Sequence, residues 1–329
     1  MNKIILSRTD NIGDVILTLP MVYIIKEYYP NSRIIFLGKS YTAPIISLCP
    51  YIDEFLNYDD FNNLAEKEKI TTLKEVNADT IIHVFPRKEL AMLAKKAKIK
   101  DRIGTSHRYY HLLTCNRLIT FSRKRSKLHE SQLNLKLLAG IKIEVKKSIN
   151  ELCKLNVLTN IKELPKRFHH IFENKKKNLI LHPKSKGSAI EWGIKNFNRL
   201  ISILPENKFN IFITGTEEEG NLIQNELVKS KNIYNLTGQM TLQELISFIR
   251  SSDFLLACST GPLHIAASVG IHTLGIFSKK KPMHPERWRP IGKKVKIFTY
   301  KNASKLSDDE NIKLISPKMV ADYIESLLN

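Results

Sequence analysis

Short apolar runs rich in Ile, Leu, Val and Phe recur along the chain, each followed by a stretch in which apolar residues return every three or four positions. A parallel sheet wrapped by helices has this alternation, because its strands are covered on both faces and its helices on one. In the first half, residues 3–6, 33–37, 80–84 and 117–120 predict strands, with helices near 14–28, 70–76 and 89–97. A second series then begins, with strands at 178–181, 209–214, 232–235, 254–258 and 273–277 and helices near 196–204, 217–228, 242–250 and 262–269. The polar, charged stretch 164–177 separates the two series, which predicts domains at 1–165 and 166–329. Residues 316–328, opened by Pro317, carry Met319, Val320, Tyr323, Ile324, Leu327 and Leu328 at helical spacing and predict a closing amphipathic helix. Two α/β sheets in one chain predict two Rossmann-like domains facing across a central cleft, with ligands at the carboxyl ends of the strands.

Composition narrows the function classes. The 329 residues are 43% hydrophobic, enough for two packed cores, and no stretch approaches a membrane span. The opening Met1-Asn2-Lys3-Ile4-Ile5-Leu6-Ser7-Arg8 breaks into charge too soon for a signal peptide, so a cytoplasmic location is expected. Cys49, Cys115, Cys153 and Cys258 are scattered without the spacing of a zinc site and read as buried thiols. No metal and no cofactor is expected. The net charge of +20 attracts polyanions, although only 13 of the 52 basic residues are Arg, and a lysine excess of this kind also arises from compositional bias. The basic stretches lack the interleaved aromatics that stack on bases, which argues against nucleic acid and for an anionic glycolipid or membrane surface. Peripheral attachment to anionic membranes, without a span, is the expectation.

Four strand ends carry candidate chemistry. The strand at 254–258 runs into Ser259-Thr260-Gly261-Pro262-Leu263-His264, a small-residue turn that opens a helix and brings backbone N–H groups to one point, as a phosphate requires; an ordinary strand-to-helix turn has the same composition. Pro262 suits the first helical position. The first strand ends in Arg8-Thr9-Asp10-Asn11-Ile12-Gly13-Asp14. Its single glycine excludes a dinucleotide fingerprint and leaves Asp14 at a helix start, where it or Asp10 serves as a helix cap or as a catalytic carboxylate. Pro20 should kink or restart the helix that follows. Pro183-Lys184-Ser185-Lys186-Gly187-Ser188 forms a small basic loop after the first strand of the second half, suited to a diphosphate or simply solvated. Thr214-Gly215-Thr216-Glu217-Glu218-Glu219 sets carboxylates where they can grip ribose hydroxyls or complement a helix dipole. Arg87, Lys88, Arg102 and Arg108, each after a candidate strand of the first half, are candidates for the phosphates or acidic sugars of an acceptor; surface charge is the alternative for each.

Taken in order, these pieces resemble the lipopolysaccharide heptosyltransferases of glycosyltransferase family 9. The resemblance rests on Arg8-x-Asp10-x-x-Gly13-Asp14-x-x-x-x-x-Pro20, the loop ending in Trp192, the strand end at Gly215, Gln239-Met240-Thr241-Leu242, and Ser259-Thr260-Gly261-x-x-His264-x-Ala266-Ala267. It implies the two-domain GT-B fold, with an N-terminal acceptor domain and a C-terminal nucleotide-sugar domain. The activity implied is transfer of a heptose from ADP-heptose to the lipopolysaccharide core, with inversion and without a metal. Asp14 then matches the general base; Thr260, Gly261 and His264 match the donor phosphate and sugar motif, with Ser259 beside them as a further donor-binding candidate. Met240 falls beside the base of the nucleotide and Glu218 or Glu219 at the ribose, while Lys184, Ser185 and Lys186 lie near the diphosphate. Two positions depart from the family pattern. Ser259 stands where well-known members carry Asp, and Ile190 where they carry Lys, which leaves leaving-group charge to Lys184 or Lys186. The competing readings are a nucleotide-sugar epimerase or hydrolase of the same fold and a non-catalytic basic module that binds polyanions.

Overall fold

A computed structural model describes residues 3–300 and 307–328. The chain divides into two compact units, Met1–Asn160 and Ile161–Asn329. The first unit holds a parallel six-stranded sheet of β1 (Lys3–Ser7), β2 (Arg33–Gly38), β3 (Glu54–Asn57), β4 (Thr80–His83), β5 (Asp101–Thr105) and β6 (Arg117–Ile119), in the order β3-β2-β1-β4-β5-β6. The second holds β7 (Lys177–His182), β8 (Phe209–Ile213), β9 (Ile233–Asn235), β10 (Phe254–Cys258), β11 (His272–Ile276) and β12 (Val295–Phe298), in the order β12-β11-β10-β7-β8-β9. The winding is the same in both units. Each sheet is laid down outward from a central first strand and then resumed on that strand's other side. Strand order therefore reverses between β1 and β4 and between β7 and β10, and the loops after those four strands open the crevices where such sheets bind ligands.

Burial explains why the central strands are so apolar. Ile4, Ile5 and Leu6 of β1, Leu179, Ile180 and Leu181 of β7, and Leu255, Leu256 and Ala257 of β10 are fully inaccessible, on both faces of their sheets. Each Ile or Leu so covered contributes roughly 1.5–3 kcal/mol relative to an exposed one. Pro20 restarts the helix: a short turn of helix at Ile12–Ile16 gives way to Leu19–Tyr28, with Pro20 in its first turn, where its missing N–H is not needed. Trp192 is buried in the second core, where its ring N–H donates to the Ile315 carbonyl at 2.9 Å and its backbone N–H points at the Cys258 sulfur at 3.3 Å. It thereby pins the loop after β7 against the end of β10. The closing helix Pro317–Ser326 buries Val320, Ala321 and Ile324 in the same core. The four cysteines are free thiols, three of them buried. Among the described residues no helix is long and apolar enough to cross a membrane.

One buried feature of the first unit has a measurable consequence. His83, at the end of β4, lies 5.4 Å from His111 between ring centres, and neither of its ring nitrogens has a hydrogen-bond partner among the described residues. Gly104 makes room for this pair, since a Cβ there would lie 2.4 Å from His111 Nδ1. Burial, then the neighbouring His111 and Arg102, pushes His83 down to about 3 from 6.5. A histidine depressed in this way contributes stability that is complete above the unfolded value and is lost as the pH falls from 6.5 towards 3. Between pH 7 and pH 4 the wild type should therefore lose about 3 kcal/mol more than a His83→Leu variant, which cannot take up that proton. Denaturant titrations of both at the two pH values measure the difference, and equal losses would mean that His83 is not held neutral by the fold.

Candidate functional site

The crevice at β1 and β4 is organised by Arg8, the first residue after β1. Its side chain is almost fully buried, so its charge must be met by carboxylates. Nε donates to Asp10 Oδ1 at 2.7 Å, Nη2 donates to Asp14 Oδ1, and Nη1 points at Glu130 Oε1 and Asn134 Oδ1 at 3.3 and 3.4 Å. Arg123 closes the network on Glu130 at 2.9 Å and Asn134 at 2.8 Å. Burial alone would ease the Arg8 proton off, but Asp10, Asp14 and Glu130 together hold its pKa above the ordinary value. The Asp10 carboxyl is pushed up to about 6 by burial, against the pull of Arg8. Asp14 sits in the first turn of Ile12–Ile16, where a helix dipole favours a carboxylate. Its Oδ2 carries no hydrogen bond among the described residues and its side chain is 14% exposed. The site thus contains a fixed carboxylate with one free oxygen, oriented by a buried guanidinium and open to solvent on one side.

Of the four basic residues proposed for the acceptor, Arg87 belongs to this crevice. It donates through Nε to the Thr9 hydroxyl and through Nη2 to the Thr9 carbonyl at 3.0 Å, with its guanidinium over the Tyr58 ring. Lys88 is the first residue of the helix Lys88–Lys96 and Arg108 precedes the helix Tyr109–Thr114; both are exposed. Arg102 does not join them. It lies at the amino end of β5, away from the carboxyl edge where the crevice opens, and its Nε and Nη1 donate to the carbonyls of Thr114 and Ile99. Its role is to tie down chain turns.

In the second unit the crevice at β7 and β10 brings together two of the predicted loops. Thr260 caps the helix Gly261–Val269 with extended backbone, so Gly261 rather than Pro262 is the first helical residue. The Thr260 hydroxyl is buried and has no hydrogen-bond partner among the described residues. A buried unpaired hydroxyl at the amino end of a nine-residue helix suits an anion. His264, one turn on, is buried behind it, and Ser259 is half-buried.

The loop after β7 departs from a simple basic cradle. Lys184 is ion-paired with Glu191 at 2.6 Å, and Glu191 also accepts from the Ser185 backbone at 2.9 Å and hydroxyl at 3.0 Å. Lys184 therefore offers a diphosphate a charge already partly offset. Lys186, with a left-handed backbone at φ 47°, is open to solvent and 3.7 Å from the equally exposed Glu218. Ile190, standing where the family pattern has lysine, packs against the core. Glu219 is engaged in capping: it accepts from the Thr216 N–H at 2.9 Å, while its own N–H donates to the Thr216 hydroxyl at 3.2 Å. This leaves Glu218, paired only loosely with exposed Lys186, as the carboxylate of the pair outside the helix cap. Met240 is half-buried, just before the Thr241 cap of Leu242–Ser251.

Sequence reasoning named Asp14 but gave no role to Arg8, Glu130, Asn134 or Glu191. Arg8-x-Asp10 was a usable signal, because an arginine directly after an apolar central strand has to find acidic partners.

A family model described as Glycosyltransferase family 9 (heptosyltransferase) matches residues 68–315. A Haemophilus influenzae protein named "Putative glycosyltransferase" is 26% identical over 96% of this chain and 94% of its own length. Lipopolysaccharide heptosyltransferase 3 of Escherichia coli is 22% identical over 95% of this chain and 93% of its own. Among solved structures, the ADP-heptose lipopolysaccharide heptosyltransferase II of E. coli superposes with a TM-score of 0.77 at 15% identity, covering 100% of this chain and 98% of that one. The Veillonella parvula family 9 glycosyl transferase reaches 0.79 at 16% identity, covering 99% and 97%.

Proposed function

The chain belongs to glycosyltransferase family 9, and from that premise we propose that it transfers a heptose from ADP-heptose to the core of a lipopolysaccharide, with inversion and without a metal ion. The observation that carries the catalytic part of this reading is Asp14, held through one oxygen by buried Arg8 with the other oxygen free. In the reaction proposed, Asp14 takes the proton of an acceptor hydroxyl as that oxygen attacks the anomeric carbon, and the nucleoside diphosphate departs from the opposite face. The N–H groups at Gly261 and the Thr260 hydroxyl receive the charge that grows on the diphosphate. Lys184 and Lys186 add cationic charge to that loop, and Glu218 and Met240 stand at the ribose and the base. Arg87 and, further out, Lys88 and Arg108 meet the acidic groups of the acceptor. No cofactor enters the scheme. The enzyme works at the cytoplasmic face of the membrane that carries the glycolipid.

Thr260 offers a direct test of the donor site. Thr260→Val keeps the shape of the side chain and removes only the hydroxyl, so loss of one hydrogen bond to a charged phosphate should weaken ADP binding roughly tenfold. Without a phosphate role the same change removes an unpaired buried hydroxyl, and would leave ADP affinity intact while raising stability. Calorimetric titration of ADP together with a thermal melt separates the two outcomes. Mass spectrometry of the lipopolysaccharide from a deletion strain, set against that of the parent, identifies the sugar transferred.

A further inference from the structure

Half of the chain's net charge is concentrated in one short region. Between positions 88 and 127 there are twelve Lys and Arg residues and two acids, a balance of +10 out of the total of +20. Both acids are paired, Glu89 with Lys69 and Asp101 with Arg117. Within this basic region lies the most exposed apolar cluster of the first unit: Tyr109, Leu112 and Leu113 are 66, 57 and 70% exposed. They stand at i, i+3 and i+4 of the helix Tyr109–Thr114 and so share one face. That helix packs against Lys88–Lys96, with the Lys88 ammonium 5.9 Å from the Tyr109 ring centre and the Lys95 ammonium donating to the Leu113 carbonyl at 2.8 Å. Met92 falls between those lysines on the same helix face and is also exposed. Lys98, Lys100 and Arg108, in the segment that joins the two helices, are exposed as well, whereas Lys96 is ion-paired with Glu66.

We propose that this face, Met92, Tyr109, Leu112 and Leu113 flanked by Lys88 and Lys95, docks on an anionic lipid bilayer, with the apolar side chains entering the interface and the lysines meeting the lipid phosphates. Apolar groups flanked by long cationic side chains match a surface that is apolar below and negatively charged above. Nucleic acid would match the charge but not the three exposed aliphatic side chains, and a second copy of this chain, itself strongly basic, would be repelled. The face is continuous with the candidate active site, because Arg87, next to the first residue of Lys88–Lys96, donates to Thr9. An acceptor anchored in that bilayer would present its sugars beside Asp14. The proposal rests on the reading of the acceptor as a membrane glycolipid.

The test compares the full-length wild type with the double variant Leu112→Asp/Leu113→Asp in flotation with vesicles of phosphatidylethanolamine and phosphatidylglycerol, and of phosphatidylcholine alone. The wild type should bind the anionic vesicles and the variant at least tenfold more weakly, with an unchanged melting temperature. A Tyr109→Trp protein should show emission quenched by brominated lipids. Equal binding by wild type and variant, or no quenching, would overturn the proposal, and so would a dimer in sedimentation velocity that the two aspartates dissociate. Transfer to a delipidated, water-soluble acceptor separates this from the enzymatic reading. Both proteins should catalyse it equally; inactivity of both would count against the transferase reading alone, leaving the vesicle results to judge the surface.

Discussion

Asp14→Asn is expected to lower turnover with the true acceptor by roughly 10²–10⁴-fold, the range for loss of a general base, while ADP affinity stays close to that of the wild type. The geometry makes this a clean substitution. Asn keeps an oxygen to accept from Arg8, and the helix cap is Asn11 rather than this position, so that hydrogen bond can persist while the basicity is removed. Asp10→Asn is the matched comparison. Asp10 touches the same guanidinium but its carboxyl is pushed up to about 6 by burial, and its backbone carbonyl accepts from the Tyr41 hydroxyl at 2.8 Å. It is a positioning residue, so Asp10→Asn should keep most of the turnover. Steady-state kinetics on both variants, with melts to show that they are folded, decides the assignment: an active Asp14→Asn would remove Asp14 from the chemistry, and two equal losses would point to the network as a whole.

The parts of this fold that were legible in the sequence are those where burial leaves little choice of residue. β1, β4, β7, β8 and β10 are covered on both faces and read as continuous apolar runs. The strands that escaped notice are β3, β5 and β12. β3 and β12 lie at sheet edges, are only partly buried and carry polar residues on the open side. β5 is internal, but it opens with Asp101 and Arg102, which are half-buried at its amino end. The loop motifs at 8–14, 184–193 and 259–264 were found because small and charged residues directly after an apolar strand are the signature of a working strand end. Their side-chain pairings were not. Glu191 reaches back over seven residues to neutralise Lys184, and Arg8 meets Glu130 across 122 positions. Glu130 and Asn134 lie on a helix, Glu130–Lys136, whose cap is His129 rather than a residue that announces a helix start.

Arg8 is where catalysis and stability meet. Replacing it by Met, of similar length and apolar, should cost about 3–5 kcal/mol at pH 8, because Asp10, Asp14 and Glu130 lose the cation they converge on. The pH dependence of that loss identifies its cause. Burial raises the Asp10 pKa and Arg8 opposes it, so without Arg8 the Asp10 carboxyl moves further above its unfolded value of 3.8. A carboxyl with a raised folded-state pKa contributes stability that is complete below the unfolded value and is lost as the pH rises through the folded one. Arg8→Met should accordingly be most stable relative to wild type near pH 4–5 and fall away towards pH 8, and adding Asp10→Asn to it should restore part of the loss at pH 8. Denaturant titrations of the single and double variants across this range measure it. A deficit independent of pH, untouched by Asp10→Asn, would show that Arg8 acts through packing alone, and that the carboxylates of the crevice, Asp14 included, do not depend on its charge.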